Sequence, residues 1–152
     1  MKFYIPLLLV LSITLSCGKK KQEAQDKEEN AIILKYISDN NLNAIATGTG
    51  LYYVINTQGT GVNPISSSQV KVAYKGYLTD GSVFDESETS GIIFGLNQVI
   101  KGWTEGIPYF KEGGTGKLLI PSSLGYGKDG NSSIPGNTVL IFDINLIKVY
   151  WF

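Results

Sequence analysis

At 152 residues the chain has room for one domain of ordinary size plus short extensions. Basic and acidic side chains balance at 13 each, so nothing electrostatic points to nucleic acid. Histidine is absent and Cys17 is the single cysteine, which removes the usual general base, the commonest metal ligand, any intrachain disulfide and any thiolate metal cluster.

The first residues read Met-Lys, then an apolar run from Phe3 to Leu15, then Ser16 and Cys17. The run is too short to span a bilayer as a helix, which takes about 20 residues, and suits the core of an export signal. A cysteine closing it, with a small residue before it, resembles a bacterial lipoprotein signal, although Thr14 departs from the aliphatic residue usual at that place. Segment 1–17 is therefore expected to direct export to the cell envelope, with Cys17 as the lipid attachment site that holds the protein on a membrane facing the periplasm or cell surface. Plain secretion with a free thiol is the other reading.

Residues 18–30 are polar and of mixed charge, the composition of a solvated tether. Ile33, Leu34 and Ile37 then recur at helical spacing, predicting a short helix near 30–39 that stops at Asp39-Asn40-Asn41, within a helical arm over 31–47. One apolar stripe needs something to cover it, so the arm is expected to lie beside the domain of residues 48–152.

Across the chain, 18 glycines, nine tyrosines and six phenylalanines favour a turn-rich β protein with an aromatic interior. Leu51 to Thr57 reads as a strand that ends at Gly59-Thr60-Gly61. From Gln69 to Leu78, alternation puts Val70, Val72 and Tyr74 on one face, and Asp80-Gly81 turns the chain toward Val83-Phe84. Val99 to Phe110 carries Ile100, Trp103 and Ile107 at helical spacing and is expected to be the single short core helix. Lys117 to Pro121 and Thr138 to Tyr150 are strand-like again, with Leu140, Phe142, Ile144 and Leu146 on one face by strict alternation. The predicted fold is α+β, a strongly curved antiparallel sheet wrapped on one short central helix.

Gly114-Thr115-Gly116-Lys117 is not a phosphate loop, because Lys111 stands where the first glycine is required and Leu118 replaces the metal-binding hydroxyl. Glu86 and Glu88 read as a solvated loop. Asp85, directly after Phe84, sits where a buried, hydrogen-bonded aspartate can organise a pocket.

Several motifs in the right order then resemble one family. Val70 to Gly76 looks like the second-strand signature of the FK506-binding-protein (FKBP) type of peptidyl-prolyl cis/trans isomerase, and Gly81-Ser82-Val83-Phe84-Asp85 like its pocket loop. Gln98 to Trp103 resembles the entry to its central helix. Leu118-Ile120-Pro121, Gly125-Tyr126-Gly127, Ile134-Pro135 and Leu140 to Asp143 match its later strands and the loop between them. The resemblance implies a pocket lined by Tyr74, Phe84, Asp85, Val99, Ile100, Trp103, Tyr126 and Phe142. Ile92 joins the binding residues at a position where the family commonly has an aromatic, and Ser133 stands near an aliphatic wall position. It also implies rotation of X-Pro bonds in client proteins without cofactor or metal, with Asp85, Tyr126 and the Ile100 backbone N–H acting on the substrate, and an FK506-like macrolide as a further ligand class. The alternative is a binding module or chaperone that holds proline segments, in an envelope or motility assembly, without turning them over.

Overall fold

The computed structural model describes residues 11–150, with side chains from Gly18 onward. Most of the expected signal segment, and the side chain of Cys17, therefore lie outside the described residues. Helix α1 (Leu11–Asp39) is followed by strands β1 (Ile45–Ala46), β2 (Tyr52–Thr57), β3 (Gln69–Tyr77), β4 (Val83–Glu86) and β5 (Ile92–Gly95). Helix α2 (Lys101–Gly106) and strands β6 (Thr115–Ile120) and β7 (Leu140–Tyr150) complete the order, with short 3-10 turns at 96–98, 107–109 and 122–124. All seven strands form one antiparallel sheet in the order β1-β2-β6-β7-β3-β4, and β5 pairs with the first half of β3 beyond the reach of β4. Register shifts in β2, β4 and β7 mark bulges, which bend a strand and let the sheet wrap around α2. This is the predicted α+β architecture.

Alternation divides the sheet into two faces with two cores. On the concave side Val70, Val72, Leu118, Ile120, Leu140, Phe142, Ile144 and Leu146 pack around Trp103 of α2 and Ile107 of the turn that follows it. On the convex side Val54, Leu119, Val139 and Ile141 pack against Ile33, with Tyr36, Ile37 and Tyr52 at the margin. The apolar stripe of α1 is thus covered by the back of the sheet. Below it the Lys117 ammonium pairs with Asp143 and donates to the Tyr77 hydroxyl at 2.7 Å. Burial pushes the hydroxyls of Tyr77 and Tyr36 up to about 12, so both stay protonated between helix and sheet at neutral pH.

Two expectations need correction. Residues 18–30 are helical throughout, continuous with 31–39, because Lys, Glu, Gln and Ala are strong helix formers and amide–carboxylate pairs one turn apart reinforce them. Gln22 reaches Asp26 at 2.8 Å and Gln25 reaches Glu29 at 2.9 Å. Polar composition alone did not separate a solvated helix from a solvated coil. The helix does end at Asp39, where Asn41 takes a left-handed φ of 50° and the Leu42 N–H closes back on the Ile37 carbonyl at 3.0 Å. The core helix is shorter than expected, since α2 gives way to the 3-10 turn at 107–109 that contains Pro108.

Gly116 lies between Ile55 of β2 and Ile144 of β7, and a Cβ there would stand 1.8 Å from the Val54 carbonyl oxygen and 2.9 Å from the Phe110 ring. Backbone atoms on that side have nowhere to go. Gly116→Ala is expected to cost about 3 kcal/mol or more in urea denaturation. Gly18→Ala, on the exposed face of α1 with nothing within 4 Å, is expected to be neutral or to stabilise by up to about 1 kcal/mol.

Candidate active site

A cavity of about 550 Å³ opens at one end of the concave face. Its walls are Tyr74 and Phe142 from the sheet, Asp85 from β4, Ile92 and Phe94 from β5, Gln98, Val99, Ile100 and Trp103 at the entry to α2, and Tyr126 from the loop after β6. The neighbouring strands β3 and β7 direct Tyr74 and Phe142 inward by alternation. Trp103 enters from above because the chain is extended at Val99 and Ile100 and turns helical at Lys101.

Trp103 is 5% exposed and stands at the centre of an aromatic cluster. Tyr74 and Phe142 meet it edge-on, with centroids 4.9 Å and 5.1 Å away, and Phe94 lies tilted at 5.1 Å. Such contacts contribute about 0.5–1.5 kcal/mol each beyond burial. Its indole N–H is buried without a protein acceptor, the one such side-chain atom among the described residues. An unpaired buried donor costs about 1–3 kcal/mol.

The polar groups sit at the mouth. Asp85 is exposed there and accepts a hydrogen bond of 2.7 Å from the Tyr74 hydroxyl, which supplies the partner for the aspartate. Asp85 is hydrogen-bonded but not buried, because β4 is an edge strand whose short length leaves its outer side to solvent. Burial, and then the Asp85 carboxylate, push the hydroxyls of Tyr74 and Tyr126 above the ordinary tyrosine value. The Ile100 carbonyl accepts from the N–H groups of Trp103 and Thr104 at the start of α2, while its own N–H has no protein acceptor among the described residues. Thr104 ties α2 to the preceding turn by donating to the Leu96 carbonyl at 2.5 Å.

Of the residues expected at the site, Tyr74, Asp85, Ile92, Val99, Ile100, Trp103, Tyr126 and Phe142 come together around the cavity. Phe84 does not line it. Its ring stands behind Phe142, edge-to-face at 5.4 Å, in space kept free by Gly76, where a Cβ would lie 2.6 Å from Phe84 and 2.8 Å from Phe142. Ser133 is exposed and turned toward Asn131, outside the cavity. Phe94 and Gln98 were not anticipated. The Phe94 ring supplies an aromatic wall two residues beyond Ile92 on the same strand face, opposite Val70 where Ile92 is opposite Val72.

Residues 61–147 match the family of FKBP-type peptidyl-prolyl cis-trans isomerases. The chain belongs to that family. The FKBP-type isomerase FkpA of Aeromonas hydrophila is 46% identical over 106 residues, which are 68% of this chain and 40% of that protein. The chain thus spans about two fifths of the length of the curated relatives it matches. Among solved structures, a peptidyl-prolyl isomerase from Pseudomonas syringae pv. tomato superposes with a TM-score of 0.75 at 34% identity, covering 85% of this chain and 96% of the other. FkpA from Escherichia coli gives 0.70 at 36% identity, covering 90% and 70%.

Within this FKBP-type site Trp103 is the floor on which Tyr74, Phe94 and Phe142 converge. Trp103→Ala is expected to lose about 3–5 kcal/mol of stability in urea denaturation, as aromatic truncations in a core do. Binding of a proline peptide, followed by calorimetry below the unfolding range, should be lost with it. Retention of both would place the pocket elsewhere.

Proposed function

We propose that the protein is an active peptidyl-prolyl cis/trans isomerase that assists the folding of exported proteins. The observation that carries this reading is an aromatic-walled cavity whose carboxylate and hydroxyls sit at the mouth. Rotation about an X-Pro bond makes and breaks no bond, yet it must overcome amide resonance, a barrier of about 18–20 kcal/mol. In the twisted transition state the C–N double-bond character and the carbonyl dipole both fall. An apolar cavity therefore disfavours the planar amide relative to the twisted one, which is differential binding of the transition state. Trp103, Val99, Phe94 and Phe142 seat the proline ring. The Tyr126 hydroxyl and the Ile100 N–H hold substrate carbonyls, and Asp85 orients Tyr74 and shapes the field at the mouth. The cavity falls within the usual size range of small-ligand sites, so an FK506-like macrolide is a further ligand of the same pocket.

Two measurements test this. Refolding of a proline-limited client should accelerate with the protein present, and Tyr126→Phe should lower kcat/KM about three- to tenfold, the worth of one hydrogen bond. Binding of the client with no acceleration would make the protein a holding module. With no histidine in the chain and both tyrosine hydroxyls shifted upward, hence protonated through neutrality, kcat/KM should change by less than about twofold between about pH 6 and pH 8. A steep decline in folded protein would make proton transfer part of the step.

The second part of the proposal is the address. Cys17 carries a lipid and holds the protein on an envelope membrane facing the periplasm or cell surface. What supports it is the apolar run closed by the single thiol. Among the described residues no helix is long and apolar enough to cross a membrane. The exposed turns of α1 that follow Cys17, rising about 1.5 Å per residue, would hold the pocket away from the surface. Cys17→Ser is expected to release the protein from washed membranes, and mass spectrometry of the wild type should find an acylated thioether at that residue. An unmodified thiol would refute the anchor.

A further inference from the structure

Glu29 is 1% exposed, the most deeply buried ionisable side chain reported for the described residues. Burying a carboxylate costs several kcal/mol unless its lone pairs are filled. Here most are filled, because Oε2 accepts from the Ser122 N–H at 2.6 Å and Oε1 from the Ser122 hydroxyl at 2.6 Å and the Gln25 amide at 2.9 Å. If docking α1 were the only task, an aliphatic residue would serve, as Ile33 does one turn later.

Ser122 opens the 3-10 turn at 122–124 and is itself 3% exposed. Its carbonyl accepts from the N–H of Gly125 at 2.9 Å and from the N–H of Gly127 at 2.8 Å, the two residues that flank Tyr126. The Gly127 carbonyl is tied in turn to the Asn137 N–H at 2.9 Å. Tyr126 therefore hangs from a loop closed on one serine, and that serine is held through both its N–H and its hydroxyl by a carboxylate on α1.

The geometry points to Glu29 as a positioning residue for the isomerase site, acting through Ser122 on the placement of the Tyr126 hydroxyl. The inference rests on the reading of Tyr126 as a donor to the substrate carbonyl. Losing the carboxylate leaves the buried N–H and hydroxyl of Ser122 unpaired, so the serine turns to find other partners and the loop loses its closed geometry. Helix α1 is then part of the catalytic domain and not only a spacer.

The test measures kcat/KM on a proline peptide for Glu29→Ala, Glu29→Gln and Ser122→Ala in the full chain, each alone and combined with Tyr126→Phe. Amide exchange at Gly125 and Gly127 is followed alongside. Displacing a donor by a fraction of an ångström should make Glu29→Ala about tenfold slower, and its effect should shrink below about twofold once Tyr126 is already Phe, as for two residues acting through one contact. Glu29→Gln keeps the volume and one acceptor and should lose about threefold, since a charge-assisted bond is roughly twice as strong as a neutral one. The Gly125 and Gly127 amides should exchange faster while those of β7 keep their protection. Should Glu29→Ala not fold, Glu29→Gln decides. Wild-type turnover and wild-type exchange in either folded Glu29 variant overturn the proposal, as does an equal loss in both Tyr126 backgrounds. Full activity of Tyr126→Phe alone would instead sink the role given to Tyr126, and exchange at the two glycines would still decide that of Glu29.

Discussion

The geometry of the site depends on how near α2 comes to β6, and that approach is possible only because two positions one helical turn apart have no side chain. A Cβ at Gly102 would lie 2.5 Å from Ile120 Cγ2, and one at Gly106 would lie 2.6 Å from Leu118 Cδ2. With both absent the helix beds directly on the strand, and Trp103 descends far enough to meet Tyr74, Phe94 and Phe142. The helix is only six residues long, giving way at Ile107 to the 3-10 turn that contains Pro108. An isolated helix of that length has almost no stability of its own, so its packing on β6 and the bond from Thr104 to the preceding turn keep the floor of the cavity in place.

Such a floor leaves the interior of the cavity without an ordinary catalytic group. Carboxylate and hydroxyls are confined to the rim, where Tyr74 and Asp85 satisfy one another, and the interior is aromatic. The unpaired indole N–H of Trp103 is the exception. Departures from full hydrogen-bond satisfaction are expected where function outweighs stability, and this one lies on the wall of the cavity.

Which parts were legible in the sequence follows from how each residue is determined. Alternation in β3 and β7 is a local signal, so the inward set Val70, Val72, Tyr74, Phe142, Ile144 and Leu146 could be read directly. The wall residues were found because motifs bring their positions with them. Phe94 was missed because Ile92-Ile93-Phe94 is continuously apolar and shows no face until its register with β3 is known. The burial of Asp85 was overestimated because the sequence does not reveal which strand forms the edge of the sheet. For residues 18–30 the deciding contact joins Glu29 to Ser122, 93 positions apart, and no local pattern carries it. Gln25 and Glu29 show the spacing of a helix, but only the fold shows what that helix is for.

The two kinds of contact that hold α1 do different work. Ile33, Val54, Leu119 and Ile141 exclude water from the convex face, but apolar burial is nearly indifferent to small slips and rotations, because it is non-directional. Direction comes from the bonds of Glu29 to Ser122 and from the Tyr52 hydroxyl donating to Asn30 at 2.9 Å, each satisfied at only one register of helix on sheet. Since Ser122 follows immediately on β6 and Pro121, fixing that register also fixes the first turn of the loop that carries Tyr126. The convex face is in this way connected to the concave face that carries the cavity, through one carboxylate passing the end of β6.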